Sequence, residues 1–303
     1  MVSVVWRIGQ RVKTLTRARS GVLMLGMPES KTDSTSVSSR YEPYLRVAFQ
    51  ACDGASRILD KHYGNLRNLE EKLHAGLVSD ADRESEAYIF DTIRKAFPTH
   101  AILGEETGMH KDAGSNALWL VDPLDGTTNF VHQFPVFCIS IGLELDGELV
   151  VGVVDAPKLA MRFHAVKGGG AYLNGEKIRV SQRSTFHEGL FATGFSQTDN
   201  ALDRQMQLVA MTIKEARGIR RAGAAALDLC FVANGTFDVF WEKNLSPWDM
   251  AAGALIAMEA GAVVTDMEGN PFNVHGNSVL CGNPVLHAET LKRMKAMNGS
   301  IMK

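Results

Sequence analysis

A chain of 303 residues, 45% hydrophobic and 22% charged, has the composition of a globular protein with room for one large domain or two joined halves. Its formal net charge of -2 offers no global basic field for nucleic acid, and no apolar run approaches the roughly 18–20 residues that cross a bilayer. Cys52, Cys138, Cys230 and Cys281 form no CxxC pair, which argues against a zinc ribbon or a dense disulfide framework and suits reduced core thiols in a cytoplasmic protein.

Residues 1–40 carry seven Lys or Arg against Glu29 and Asp33, and 28–40, rich in Ser, Thr and Lys, reads as a flexible lead-in. A folded region is expected over 41–297, with 298–303 as a tail. Helical spacing of Leu45, Phe49, Cys52, Ser56 and Leu59 predicts a helix over 42–62. A second helix is expected over 82–97, with Ile89, Ile93 and Phe97 on one face, stopped by Pro98. Short apolar runs at 101–103 and 117–121 end in GEE and DPLDG. Strands are predicted over 136–145, 149–154 and 162–166, with hairpin signals at Asp146-Gly147 and Asn174-Gly175. The last third alternates: helices over 205–216, 224–233, 250–260 and 285–297, strands over 237–241 and 262–265. The pattern is that of a layered α/β (α+β) protein with helices packed on sheets.

Three acidic sites stand at element ends. In WLVDPLDGTTNF an apolar strand delivers Asp122, Pro123 interrupts the ladder, and Asp125 follows three residues later, so both carboxylates can turn toward one point. Gly126, Thr127 and Thr128 suit a helix start, whose N–H groups bind anions. Hard oxygen ligands beside an anion cradle are what Mg2+-assisted phosphoryl transfer requires. The second site is Glu105-Glu106 and the third is Asp249 in SPWDMAAG. Taken singly, DPLDG also suits a solvated acidic turn, GEE an exposed loop, and Asp249 and Asp82 helix N-caps. The conjunction of three such sites carries more than any one of them.

Together, GEET, WLVDPLDGTTNF and SPWDMAAG resemble the motifs of the inositol monophosphatase family of magnesium-dependent, lithium-sensitive phosphatases. The stretches LVSDAD (77–82), KGGGAYLNGEKIRVS (167–181) and RRAGAAALDL (220–229) extend the likeness from about Tyr41 to the last helix. The resemblance implies an αβαβα sandwich, with an α+β half over 41–183 and an α/β half over 184–297. It implies that Glu105, Asp122 and the carbonyl of Leu124 hold one Mg2+, and that Asp122, Asp125 and Asp249 hold a second. A third, hydrated ion would share Glu105. Thr127, oriented by Asp82, would help activate the attacking water. Gly126 and Thr127 would offer N–H groups to the phosphate, Ala225 would touch the substrate ring, and Glu242 would accept from its hydroxyls. Lys72 is the candidate for the family's active-site lysine, in a stretch (68–76) that departs from the family pattern. A homodimer is the usual family state.

The implied reaction is hydrolysis of myo-inositol monophosphate, a small phosphorylated polyol, by a metal-activated water. Fructose-1,6-bisphosphate, histidinol phosphate and NADP remain alternative substrates. Thr128-Asn129, where 3′-phosphoadenosine phosphatases carry Lys-Gly, speaks against that branch. A regulatory role through a partner, RNA or protein, has its only sequence support in the basic segment 1–40.

Overall fold

The computed structural model describes residues 34–66, 69–72, 76–110, 115–195 and 202–301. In chain order the elements are α1 (Ser34–His62), β1 (Leu69–Lys72), β2 (Gly76–Ser79), α2 (Asp80–Ala96), β3 (Ala101–Gly104), β4 (Gly108–His110), β5 (Ala117–Asp125), α3 (Thr127–Val131), β6 (Cys138–Leu145), β7 (Glu148–Ala156), β8 (Met161–Val166), β9 (Gly170–Leu173) and β10 (Glu176–Lys177). The second half adds β11 (Leu190–Thr193), α4 (Leu202–Glu215), β12 (Gly218–Arg220), α5 (Ala225–Ala233), β13 (Val239–Lys243), α6 (Pro247–Glu259), β14 (Val263–Thr265), β15 (Ser278–Gly282) and α7 (Pro284–Ile301).

Among the described residues these strands form a two-stranded ribbon β1-β2, an eight-stranded sheet β10-β9-β8-β7-β6-β5-β3-β4 and a five-stranded sheet β12-β11-β13-β15-β14. The larger sheet is antiparallel apart from β3 and β5, which run parallel with Gly104 beside Val121. Alternation along the strands then builds the layers. Ile139, Ile141 and Leu143 of β6, with Trp119 and Val121 of β5, bury against Leu45, Cys52 and Leu59 of α1 and Ile89 and Ile93 of α2. The opposite face meets α5 and α6, whose Leu229, Cys230, Leu255 and Ile256 share a core with Phe163 of β8 and with Phe240 and Cys281 of the smaller sheet. Beyond that sheet, Val239, Trp241 and Leu280 pack on Leu208 of α4 and Leu286 and Met294 of α7. The order is α, β, α, β, α, as the resemblance implies.

Both hairpin signals hold: Asp146 and Asn174 have φ of 53° and 50°, followed by Gly147 and Gly175 at 81° and 85°. All four cysteines are buried free thiols. Helix α1 starts at Ser34, inside the stretch read as a lead-in, and α2 and α6 start earlier than the apolar periodicity indicates. The strands β4, β11, β12 and β15 and the ribbon β1-β2, each three to five residues long, are not among the strands expected from the sequence. None of the described helices is long and apolar enough to cross a membrane.

Candidate active site

A bulge sets the geometry at the end of β5. Asp122 pairs with Ser140 on β6, but the next partners are Asp125 and Cys138. A regular ladder would bring Leu124 opposite Cys138, so one extra residue is absorbed at Pro123-Leu124, where proline has no N–H to give. Residues three apart on a strand normally face opposite ways. The bulge cancels that, and Asp122 and Asp125, opposite Ser140 and Cys138, face the same side, toward α5 and α6. Asp122 Oδ1 accepts the N–H of Leu124 at 2.9 Å, closing the turn. Ser85 Oγ on α2 donates to the carbonyl of Pro123 at 3.1 Å from the other side.

The remaining acids are brought in by neighbouring elements. Glu105 follows the end of β3, and its N–H bonds Val121 O at 3.2 Å, so it lies alongside Asp122. Asp249 is not an N-cap, as its position before the apolar run suggests. Ser246 is the N-cap, Pro247 opens α6, and Asp249 at the third helical position accepts the Ser246 N–H at 2.7 Å. The same correction applies to Asp82: the N-cap of α2 is Ser79, and Asp82 Oδ2 accepts both its N–H (2.8 Å) and its hydroxyl (2.6 Å). In each case a capping box fixes a carboxyl at the entrance of a helix.

Asp82 thereby keeps Oδ1 for Thr127, whose hydroxyl lies 3.1 Å from it and 3.2 Å from Leu124 O. Thr127 opens α3, capped by Gly126 at φ 93°. A Cβ on Gly126 would lie 3.1 Å from Val136 O and 3.2 Å from Gly223 O, so the residue needs glycine for both conformation and space. Asn129 secures this turn by donating to Val136 O (2.6 Å) and Ala222 O (2.8 Å), tying α3 to the loop that enters α5.

At the start of α5, Asp125 Oδ2 accepts the N–H of Ala226 at 2.8 Å and the thiol of Cys138 at 3.6 Å. Ala225 opens the helix and is buried. Glu242 leaves β13 toward Gly194, where a Cβ would come within 2.1 Å of its carboxyl. Lys72 lies in β1 opposite Gly76; its side chain falls outside the described residues, as do residues 1–33 of the N-terminal segment.

The electrostatics follow from burying so many acids together. Burial, then Glu105, Asp125 and Asp249, hold the Asp122 carboxyl well above its ordinary range. Burial, then Asp125 and Glu105, do the same at Asp249, opposed by the Ser246 N–H. Asp125 is raised to about 6, mainly by burial, with the Ala226 N–H opposing. Burial raises Glu242 to about 8; Arg221 works against this and Asp125 adds to it. Asp82 is raised by burial against the bonds from Ser79 and Thr127.

Among the described residues, no three His, Cys, Asp or Glu side chains converge closely enough to hold a metal ion as they stand. The carboxyls share a region without sharing a point. Their chemistry nonetheless fits Mg2+: hard oxygen donors, Asp122 and Asp125 buried and Glu105 and Asp249 half-buried, like charges that a small divalent cation would relieve.

Several supporting residues carry no motif of their own. Ser85 and Glu86 lie three and four positions after Asp82, on the helix face that continues as Ile89 and Ile93. Glu86, 1% exposed, accepts the Glu106 N–H at 2.9 Å and so braces the Glu105 turn. Polar residues inside an otherwise apolar helical stripe are the signal that marks them. Ser140 on β6, also buried, is likewise silent in the sequence.

Residues 40–298 match the model of the inositol monophosphatase family. An inositol-1-monophosphatase of Rhizobium meliloti (strain 1021) is 42% identical over 243 residues, which cover 79% of this chain and 91% of the relative. A putative Nus factor SuhB of Neisseria meningitidis serogroup B is 41% identical over 257 residues, 84% of this chain and 98% of the relative. Among solved structures, the extragenic suppressor protein suhB of Bartonella henselae superposes with a TM-score of 0.80 at 39% identity, covering 83% of this chain and 98% of that one.

Proposed function

The chain belongs to the inositol monophosphatase family and is a phosphatase, and we propose that it hydrolyses myo-inositol monophosphate to inositol and phosphate with two or three Mg2+ ions as cofactor. The observation that carries this reading is the Asp82–Thr127–Leu124 contact set at the edge of the buried carboxyl cluster. Glu105, Asp122, Asp125, Asp249 and the Leu124 carbonyl would hold Mg2+, which when bound supplies Lewis-acid stabilisation of the phosphoryl oxygens and an acidified water.

The chain's own groups do the rest. The Thr127 hydroxyl, donating to Asp82 Oδ1, presents a lone pair to the attacking water. The water's proton passes to Thr127 Oγ as the Thr127 proton moves to Asp82. Burial, which raises Asp82, makes it a better base for this task. The N–H groups of Gly126 and Thr127 face the phosphoryl oxygens at the start of α3. Glu242 receives the hydroxyls of the polyol, and Ala225 touches its ring.

A substrate panel tests the reading. Phosphate release from myo-inositol 1-phosphate is expected to require Mg2+, to fall with Li+, and to exceed that from fructose-1,6-bisphosphate, histidinol phosphate and NADP by at least about tenfold in kcat/KM, a discrimination within reach of a hydroxyl-binding site. Preference for one of the other three would replace the substrate, and no Mg2+-dependent turnover of any would remove the reading. Within it, assayed above pH 8 where Glu242, raised to about 8 by burial, is ionised, Glu242→Gln is expected to raise KM for the inositol phosphate by about tenfold while the Mg2+ needed for half-maximal rate stays within twofold, because a lost charge-assisted hydrogen bond is worth about 1.5–3 kcal/mol. An unchanged KM would take Glu242 out of the substrate site. A cytoplasmic location and a homodimer accompany this proposal.

The relatives bearing the Nus factor name favour a second role, binding a protein partner. Pull-down with the full chain and with residues 1–40 deleted tests whether the basic segment supplies such contacts. Loss of a partner on deletion, with turnover kept, is the expected result for that role.

A further inference from the structure

We propose that Ser140 is a positioning residue that sets the span between the two halves of the acidic site, Asp122 and Asp125 on the β5 bulge and Asp249 on α6, and so governs their affinity for a divalent cation. The inference rests on the reading of these carboxyls as Mg2+ ligands.

Ser140 is fully buried and is the direct cross-strand partner of Asp122. Its hydroxyl donates to the carbonyl of Trp248 at 3.0 Å, one residue before Asp249. One short side chain thus links the strand position opposite Asp122 to the residue preceding Asp249. The helix has no slack at this point. Gly142, two residues on and on the same face of β6, is registered with Gly152 on β7. A Cβ on Gly142 would lie 2.6 Å from Ala251 Cβ, and one on Gly152 2.7 Å from Ala252 O. The first turns of α6 therefore rest directly on the sheet backbone, and Ser140 pins the end that carries Asp249.

The hydroxyl is spent on a backbone carbonyl, that of Trp248, which distinguishes its role from that of a ligand. Its contribution is to hold the Trp248 carbonyl, and with it the entrance of α6, at a fixed distance from β6. Without that bond the Trp248 carbonyl is left without this buried donor, and the start of α6 is free to lift from the sheet. Like-charged carboxyls favour that movement, since separation relieves their repulsion. A cation that must be shared between Asp122, Asp125 and Asp249 is then held less tightly. Partners that orient ligands in this way typically account for about 10–100-fold in metal affinity.

The test is a Mg2+ titration of the full chain without substrate, by calorimetry and by the rise in Tm with Mg2+, for wild type, Ser140→Ala and Ser140→Cys. Substrate KM is measured at saturating Mg2+. For Ser140→Ala the expected result is Mg2+ binding weakened by about tenfold, KM within twofold of wild type, and a metal-free far-UV spectrum like the wild type's. Ser140→Cys, which keeps a weak donor of similar size, is expected to fall between the two. Mg2+ affinity within twofold of wild type in Ser140→Ala, or in Ser140→Cys should the alanine variant not fold, would overturn the assignment. Wild type that binds no Mg2+ would instead remove the metal-site reading, and this inference with it.

Discussion

Asp122→Asn is expected to lower Mg2+-dependent phosphate release by at least about 100-fold, the upper end of what even indirect supports of a metal ligand contribute, while leaving the metal-free protein at least as stable as wild type. The two halves of this result have one cause. Asp122 is buried beside Glu105, Asp125 and Asp249, and burial together with those neighbours holds its carboxyl well above the ordinary value near 3.8. A carboxyl that binds its proton more tightly in the folded than in the unfolded chain opposes folding once pH rises past the unfolded value. That cost is absent in acid and grows from about pH 4 upward. Asparagine removes the charge, keeps an oxygen for the Leu124 N–H, and is nearly the same size. Melts of the metal-free proteins should therefore coincide at low pH and diverge toward neutrality in favour of the variant, by about 2–4 °C for each kcal/mol of relieved repulsion. Added Mg2+ should raise the Tm of wild type and leave that of Asp122→Asn nearly unmoved. Wild-type activity in the variant would take Asp122 out of the site. A lower metal-free Tm at neutral pH would mean that Asp122 holds the fold rather than the cation.

The acids of this site were legible in the sequence as types at element ends, because a strand followed by Asp-Pro or a helix preceded by Ser-Pro leaves few local structures open. Their relative placement was not. Whether Asp122 and Asp125 share a face depends on the one-residue slip between the partners Ser140 and Cys138, a property of two strands that pattern in one cannot reveal. The parallel pairing of β3 with β5, which sets Glu105 beside Asp122, joins segments that could equally have formed an antiparallel pair. The early starts of α2 and α6 are hidden because Asp80 in one, and Pro247 and Asp249 in the other, add little to an apolar helical stripe. The same weak first turns mask the capping serines Ser79 and Ser246 and make the acids three residues later look like the caps. The layers were more accessible. Alternation in β6 separates Ile139, Ile141 and Leu143 from Ser140 and Gly142, and a strand polar or bare on one face and apolar on the other must meet two different surroundings.

Thr127 offers a sharper division between chemistry and binding. Its hydroxyl sits between Asp82 Oδ1 and Leu124 O, and Asp82 is otherwise satisfied by Ser79. Thr127→Ala removes the relay between water and Asp82 without touching a proposed metal ligand's side chain or the N–H groups of the turn. It is expected to lower kcat by about 10²–10³-fold, within the range of general-base catalysis, with KM and the Mg2+ requirement each within about threefold of wild type. Asp82→Asn should cost a similar factor, because it breaks the same relay one atom further on. If the two side chains act as one unit, the double variant is no slower than the slower single one, since the second substitution removes a path already cut. If they act separately, their factors multiply, to about 10⁴–10⁶. Four variants assayed for kcat, KM and half-saturating Mg2+ decide between these outcomes. A multiplicative result would assign Asp82 to the capping box of α2 alone and leave Thr127 to find its proton acceptor elsewhere. A non-additive result accompanied by unchanged Mg2+ dependence would place the proton path through Thr127 Oγ and Asp82 Oδ1, at the edge of the metal-binding carboxyls rather than among them.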